Sequence, residues 1–119
     1  MYTVDKSKAK LLDLPGRDVR VFIGPNNKFT DVKSNHLTIG LTEVPPETSM
    51  TPHSHDDMEE IIFIIKGEGE VTVGDSTEPL KPLTAVKFPI GVSHVVNNTS
   101  KEVMQFVFCF NPTNDFGIS

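Results

Sequence analysis

The chain of 119 residues contains one cysteine, one tyrosine and no tryptophan. The single cysteine, Cys109, excludes an internal disulfide and any metal site built from several thiolates. Only Arg17 and Arg20 are arginines, the net charge is −5, and no cluster of basic residues occurs. Such a charge pattern argues against binding to nucleic acid or to an anionic membrane surface.

Long hydrophobic segments are also missing. The longest unbroken aliphatic or aromatic run, Ile61 to Ile65, is far too short to cross a bilayer, and residues 1–8 lack the apolar core of a signal peptide. We therefore expect a soluble cytoplasmic protein. Its length suits one domain over residues 1–119, with an N-terminal arm at about 1–16 and a C-terminal tail at about 113–119.

The chain shows no sustained apolar repeat at helical spacing. Short runs rich in Val, Ile, Thr and Phe alternate with turn residues, among them nine prolines and eight glycines. This pattern is typical of an all-β sandwich or barrel. The predicted strands cover 17–23, 36–44, 61–65, 85–88 and 103–110, with a further strand and hairpin within 67–76.

The clearest chemistry lies between His53 and Glu60. His53 and His55 are two positions apart, so their side chains would lie on the same side of an extended strand. Glu59 and Glu60 then open the apolar run, and only one of them can share its inward face. A third histidine, His94, follows a later turn. Imidazole and carboxylate groups together bind divalent ions of the first transition row well.

The apolar run is hydrophobic on both faces. An antiparallel strand with one face in solvent is expected to alternate with polar residues. If Glu60 points inward, Ile61, Phe63 and Ile65 point outward. We therefore expect this outer face to be covered by the N-terminal arm, by the flank of the other sheet or by a second subunit.

Three residues are candidate substrate contacts. Arg20 could bind a carboxylate through its guanidinium group, although arginines more often lie in solvent or at an interface. Gln105 and Cys109 share one face of the last strand, and they would line a pocket if this smaller, more polar face pointed into the barrel. The alternative for Cys109 is a buried structural thiol.

Two blocks of sequence resemble the motifs of the cupin superfamily. The matching residues are His53-x-His55-x4-Glu60-x6-Gly67 for the first motif and Pro89-x-Gly91-x2-His94-x3-Asn98 for the second. The resemblance implies a double-stranded β-helix, which is an all-β jelly-roll barrel with a metal inside near one mouth. It also selects Glu60 over Glu59, because six residues separate the family's glutamate from its glycine.

The resemblance implies one divalent metal, which could be Fe, Mn, Ni, Zn, Co or Cu. Four protein ligands would leave about two positions open on a six-coordinate ion, as a catalytic site requires. A metal-free polar cluster is the alternative, but unpaired imidazoles beside a buried carboxylate would be costly. The implied ligands are His53, His55, Glu60 and His94.

These features predict a metal-dependent enzyme acting on a small polar molecule, either a dioxygenase-like enzyme or a sugar isomerase or lyase. The alternative is a module that binds a small carboxylate or sugar without turning it over. Small members of the family often pair through their N-terminal strands, so the resemblance also implies a homodimer.

Two positions depart from the family pattern. Glu47 and Leu83 stand where each motif is expected to open with glycine. Both positions are expected in turns, where glycine adopts a positive φ at little cost. The departures leave the implied ligands unchanged, and they leave the type of each turn open.

Overall fold

A computed structural model of the chain describes residues 2–25 and 30–111. Within these residues the only helical element is a 3-10 turn at Lys6–Lys8, and no helix is long and apolar enough to span a bilayer. The predicted tail at 113–119 lies outside the described residues. The strands are β1 (Lys10–Leu14), β2 (Arg17–Ile23), β3 (Thr38–Val44), β4 (Thr48–Ser49), β5 (Glu59–Lys66), β6 (Gly69–Val73), β7 (Ser76–Leu80), β8 (Ala85–Phe88), β9 (His94–Asn98) and β10 (Met104–Asn111).

The strands form two antiparallel sheets of a jelly-roll barrel, which confirms the predicted all-β fold. The larger sheet has the order β1-β2-β3-β10-β5-β8, and the smaller has the order β4-β9-β6-β7. The last described strand, β10, lies between β3 and β5 and pairs with both. This order brings the two motifs to one end of the barrel.

Most predicted strands are observed close to their expected bounds. The strands at 17–23 and 85–88 have those bounds in the structure. The expected N-terminal arm contains an additional strand, because residues 10–14 form β1 and pair with β2. The turn between them contains Pro15 and Gly16, and Gly16 has a φ of 76°. Proline followed by a positive-φ glycine is the sequence that a type II turn requires.

The two faces of strand β5 differ sharply in burial. Glu60, Ile62 and Ile64 are buried, whereas Ile61 and Phe63 on the other face are 48% and 40% exposed. The inward direction expected for Glu60 is therefore observed. Each fully buried isoleucine contributes about 1.5–3 kcal/mol through removal of its side chain from water.

Strand β10 points its phenylalanines into the barrel. Phe106, Phe108 and Phe110 are buried, while Gln105 and Cys109 lie half-buried on the opposite face. The condition under which Gln105 and Cys109 would line the pocket is therefore not met, and their candidate role as substrate contacts is wrong. Three aromatic rings fill the space between the sheets and bury far more apolar surface than an amide and a thiol would.

A glycine on the neighbouring strand makes room for one of these rings. Gly40 of β3 lies opposite Phe108 of β10. A Cβ at this position would lie 2.3 Å from the Phe108 ring and 2.2 Å from the carbonyl oxygen of Arg20. Any larger residue at position 40 would therefore displace both the ring and the adjacent backbone.

The outer face of the larger sheet carries an apolar band that crosses β5, β10 and β3. Ile61 and Phe63 are 48% and 40% exposed, so the N-terminal arm leaves the β5 side of the band uncovered. On the β3 side, Val4 of the arm lines a cavity with Ile39, Leu41 and Val107. Beside the band, Arg20 of β2 and Glu43 of β3 form an ion pair, with 2.8 Å between Nη1 and Oε1. The outer apolar band consists of two rows of neighbouring residues, Ile61-Cys109-Ile39 and Phe63-Val107-Leu41.

The two departures from the family pattern keep the turn geometry that glycine favours. Glu47 and Leu83 have φ values of 52° and 67°. The Leu83 N–H donates to the carbonyl oxygen of Ile64 at 2.7 Å, and the Glu47 N–H donates to that of Ser100 at 3.1 Å. These hydrogen bonds hold a conformation that costs a non-glycine residue about 1–2 kcal/mol.

Replacing Leu83 with glycine is expected to raise the free energy of unfolding by roughly 0.5–1 kcal/mol, because the strain is removed at some cost in chain entropy. The side chain is 77% exposed, so little packing is lost. Urea unfolding would measure the change. Leu83→Ala is the control, since it shortens the side chain but keeps the Cβ. Equal stabilisation by alanine and glycine would contradict strain at the φ angle as the cause.

Candidate metal centre

Four potential ligands from separate parts of the chain meet inside one end of the barrel. Each offers one ligand atom, and the four atoms lie within 4.8 Å of one another. The spacing suits a single ion, because every member can reach one common point. This group, called the ligand cluster below, consists of His53, His55, Glu60 and His94.

The distances within the ligand cluster show how closely its atoms converge. The Nε2 atoms of His55 and His94 are 3.3 and 3.6 Å from Oε1 of Glu60. The Nε2 atoms of His53 and His94 are 3.0 Å apart. Three Nε2 atoms and one carboxylate oxygen therefore face the same small volume.

His53 and His94 are positioned by the backbone bonds between them. The His53 N–H donates to the His94 carbonyl at 3.0 Å, and the His94 N–H donates to the His53 carbonyl at 2.8 Å. This antiparallel bridge joins the segment before β5 to the first residue of β9. Directly opposed residues in such a pair point to the same side, so one bridge brings two imidazoles together.

His55 and Glu60 are held by the strands and turns around them. The His55 carbonyl accepts a hydrogen bond of 2.7 Å from Gly91 N–H, which ties the first motif to the turn before His94. Glu60 lies on β5 between Phe88 of β8 and Phe110 of β10. With 6% of its surface exposed, Glu60 is a buried acid.

Aromatic rings form the walls of the site. Phe88 stacks on His94 with 3.8 Å between the ring centroids and an interplanar angle of 3°. Phe110 meets the edge of His55 at 5.6 Å. These contacts fix the imidazole planes and exclude water from one side of the cluster.

The cavity beside the cluster has a volume of about 40 Å³. Its other lining residues are Arg17, Val19, Thr42, Met50, Phe106 and Phe108.

The histidines are held in the form that binds metals. Burial lowers the pKa of His53, and it lowers the pKa of His94 to about 4. Both are therefore neutral near pH 7. His53 Nδ1 lies 3.0 Å from the carbonyl oxygen of Thr51, so this nitrogen carries the proton and Nε2 keeps its lone pair. Metal-ligating histidines are commonly oriented by such a bond.

Three buried atoms of the cluster have no hydrogen-bond partner, namely His55 Nε2, Glu60 Oε1 and His94 Nδ1. Buried polar atoms are normally paired. A cation placed among the Nε2 atoms would satisfy His55 Nε2 and Glu60 Oε1. The residues present therefore fit a divalent metal, and the ligand cluster could hold one.

Arg17 also lines the cavity, although it was not among the site residues predicted from the sequence. Arg17 shares the inward face of β2 with Val19, whereas Arg20 faces outward, where its Nη1 contacts Glu43 Oε1 at 2.8 Å. The candidate role of Arg20 in a pocket is therefore wrong, and the alternative, an arginine in solvent or at an interface, agrees with the structure. The signal was available, because Arg17 and Val19 are two positions apart and must share a face.

The other two candidate substrate contacts also lie outside the cavity. Gln105 donates a hydrogen bond of 3.0 Å to Glu43 Oε2 on the outer face. This bond, together with the ion pair to Arg20, lowers the pKa of Glu43. Cys109 belongs to the outer apolar band, and burial raises the pKa of its thiol. His36 is exposed and does not belong to the ligand cluster.

A jelly-roll barrel with a candidate three-histidine, one-glutamate centre defines a cupin-type protein. The chain belongs to the cupin family, whose domain description, "Cupin domain", matches residues 40–110. The first motif, the second motif and the strands that carry them all lie within this match. The predicted superfamily membership is therefore confirmed.

Individual relatives are distant in sequence. "Polyketide synthase CurC" of Streptomyces cyaneus is 25% identical over 117 residues, which cover 92% of this chain and 73% of that protein. The structure of KdgF from Halomonas sp. is 17% identical, with a TM-score of 0.77 and coverage of 95% and 94%. A predicted oxalate decarboxylase from Thermotoga maritima is 20% identical, with a TM-score of 0.72 and coverage of 92% and 98%. The two structures show a shared fold.

The stability of the metal-free protein is expected to depend on pH through His94. Its pKa is about 4 when folded and 6.5 when exposed, so the unfolded chain takes up the proton first as the pH falls. The stability contribution is complete above about pH 6.5 and is lost towards about pH 4, amounting to roughly 2–3 kcal/mol.

Urea unfolding of metal-free wild type and His94→Asn, between about pH 7 and about pH 4, would measure this effect. The difference between the two free energies of unfolding is expected to shrink as the pH falls. Parallel curves across the whole window would contradict the assignment to His94, because all other titrating groups are shared by the two proteins.

Proposed function

We propose that the ligand cluster binds one divalent transition-metal ion and that the protein is a metal-dependent enzyme acting on a small polar molecule. The observation that carries this proposal is the convergence of three imidazoles and one buried carboxylate on a single point. When bound, such an ion can polarise a substrate or, if redox-active, supply oxygen chemistry. Four protein ligands would leave positions open for water or substrate.

The residues around the cluster favour dioxygenase-like chemistry over isomerisation. Among the described lining residues, the only charged or titratable side chain outside the ligand cluster is Arg17. Thr42 is polar, but its hydroxyl is a poor proton acceptor. Isomerases and lyases that remove a proton from carbon need a positioned base. A sugar isomerase or lyase would therefore lack its base, whereas an oxidation does not require one.

The size of the cavity supports a small substrate. About 40 Å³ holds no more than a few water molecules. The aromatic walls exclude bulk water and hold the imidazole planes, so the chain's own contribution is to orient the reacting group and keep the site dry. A solved relative described as a predicted oxalate decarboxylase makes a small carboxylate a reasonable candidate for this chain.

Metal content tests the proposal directly. Wild type loaded with excess iron or manganese and then desalted is expected to retain about one ion per chain. His53→Ala, His55→Ala is expected to retain far less, because two of four ligands are lost. His36→Ala is the matched control, since His36 is exposed and outside the cluster. Wild type that retained no more metal than the double variant would overturn the proposal.

The alternative function is a module that binds a small carboxylate or sugar without turnover. The absence of a base among the described lining residues favours it equally, since binding needs none. Oxygen uptake by iron-loaded protein on addition of small oxo acids would support the enzyme. Tight retention of a ligand through purification, with neither oxygen uptake nor product formation, would support the binding module.

We also propose that the outer apolar band pairs two copies of the chain. The band is bordered on one side by Arg20 and Glu43 and on the other by Lys87 and Glu59, whose charged atoms are 3.3 Å apart. Both borders therefore carry one charge of each sign. Such a surface is self-complementary across a two-fold axis, as pairing of identical patches requires.

Phe63→Lys is expected to weaken this dimer by about tenfold or more, because it places a charge within the band. Sedimentation equilibrium over a range of concentrations would measure the dissociation constant. Ile90→Lys is the control, since Ile90 is 54% exposed and lies in a turn outside the sheet. A wild type that remains monomeric at every concentration would refute the pairing.

A further inference from the structure

Arg17 is directed to the cavity by the hairpin that begins its strand. It is the first residue of β2 and pairs with Leu14, the last residue of β1. Gly16 in the turn packs against the backbone of Ser49 and Met50, where a Cβ would lie 3.0 Å from the Ser49 carbonyl oxygen. This close approach brings the start of β2 against the cavity wall, because Met50 is itself a lining residue.

The guanidinium group of Arg17 keeps most of its bonding capacity. Its Nη1 donates to the carbonyl oxygen of Pro15 at 3.0 Å, which anchors the side chain. Among the described residues, no carboxylate lies within 4 Å of it, whereas Arg20 on the same strand is paired with Glu43. Burial lowers the pKa of Arg17, and the charge of Glu60 opposes this shift. The arginine nevertheless remains charged at any physiological pH.

The charges around the cavity do not balance once an ion is bound. With a metal bound, Glu60 contributes −1 and Arg17 contributes +1, while imidazoles that ligate a metal are neutral. A divalent ion raises the sum to about +2 in a site walled by Phe88, Phe106 and Phe108. Positive charge in an apolar cavity is costly unless an anion accompanies it. The missing partner is therefore an anion small enough for about 40 Å³.

We propose that Arg17 binds the anionic group of the substrate and that this group is a small carboxylate. A planar carboxylate matches the donor fork of a guanidinium group with two parallel hydrogen bonds, and it is smaller than a tetrahedral phosphate. This inference rests on the proposed metal centre. It also gives Arg17, rather than Arg20, the role of selecting the substrate.

A counter-ion role for Arg17 towards Glu60 is the alternative. The described structure contains no salt bridge between Arg17 and Glu60, so the two charges interact only at longer range. The two roles predict different behaviour. Loss of a counter-ion would alter metal affinity, whereas loss of a substrate-binding group would alter anion affinity and leave the ion in place.

Cobalt-loaded protein allows both affinities to be measured without a turnover assay. The visible spectrum of Co²⁺ would report its retention, and calorimetry would report binding of acetate, oxalate and inorganic phosphate. We expect Arg17→Gln to weaken acetate or oxalate binding by about tenfold or more, with cobalt content unchanged. Arg17→Lys should be intermediate, because it keeps the charge but loses the fork. The control Arg20→Gln should bind the carboxylates as wild type does.

The outcomes separate this inference from the function on which it rests. Wild type that fails to retain cobalt would overturn the metal centre and, with it, the role of Arg17. Retained cobalt with equal carboxylate affinity in wild type, Arg17→Gln and Arg20→Gln would overturn the role of Arg17 alone. Tighter, Arg17-dependent binding of phosphate than of either carboxylate would overturn the substrate class. Arg17→Lys keeps the test decisive if Arg17→Gln folds poorly.

Discussion

The buried charge of Glu60 is the constraint on which this end of the barrel depends. A carboxylate with 6% of its surface exposed must be compensated, because an unpaired charge in an apolar interior costs several kcal/mol. The nearest groups are imidazole nitrogens, and burial favours the neutral form of His53 and His94. Neutral rings cannot supply the missing positive charge. A bound cation can, and the Nε2 atoms converge where it would have to lie.

A small number of contacts between distant parts of the chain positions the ligand cluster around Glu60. One backbone bridge sets His53 beside His94, and one hydrogen bond ties His55 to Gly91. The cross-strand neighbours Phe88 and Phe110 enclose Glu60 on both sides. The ligands are therefore held by sheet pairing as well as by side-chain packing. Such a site is organised before any ion arrives, so binding would not require the strands to move.

The two faces of the larger sheet have different roles. The inner faces of β5 and β10 supply a candidate metal ligand and aromatic walls, while their outer faces supply part of the apolar band. The two arginines follow the same division, since Arg17 faces the cavity and Arg20 borders the band. One strand thus carries a candidate substrate contact on one side and a candidate interface residue on the other.

The amino-acid sequence by itself determined most of the longer strands, the motif spacing and the relative directions of neighbouring side chains. It predicted the bounds of β2 and β8, and it predicted that Glu60 and Glu59 point oppositely, because side chains alternate along a strand. This alternation shows which side chains share a face of a strand, but it does not show which face points into the barrel. Only the tertiary structure decided that the phenylalanines of β10 fill the barrel and that Arg17 lines the cavity, because that choice depends on the volume to be filled between two sheets. The positive φ angles of Glu47 and Leu83 were likewise decided by hydrogen bonds to distant residues, Ser100 and Ile64, which no local pattern records.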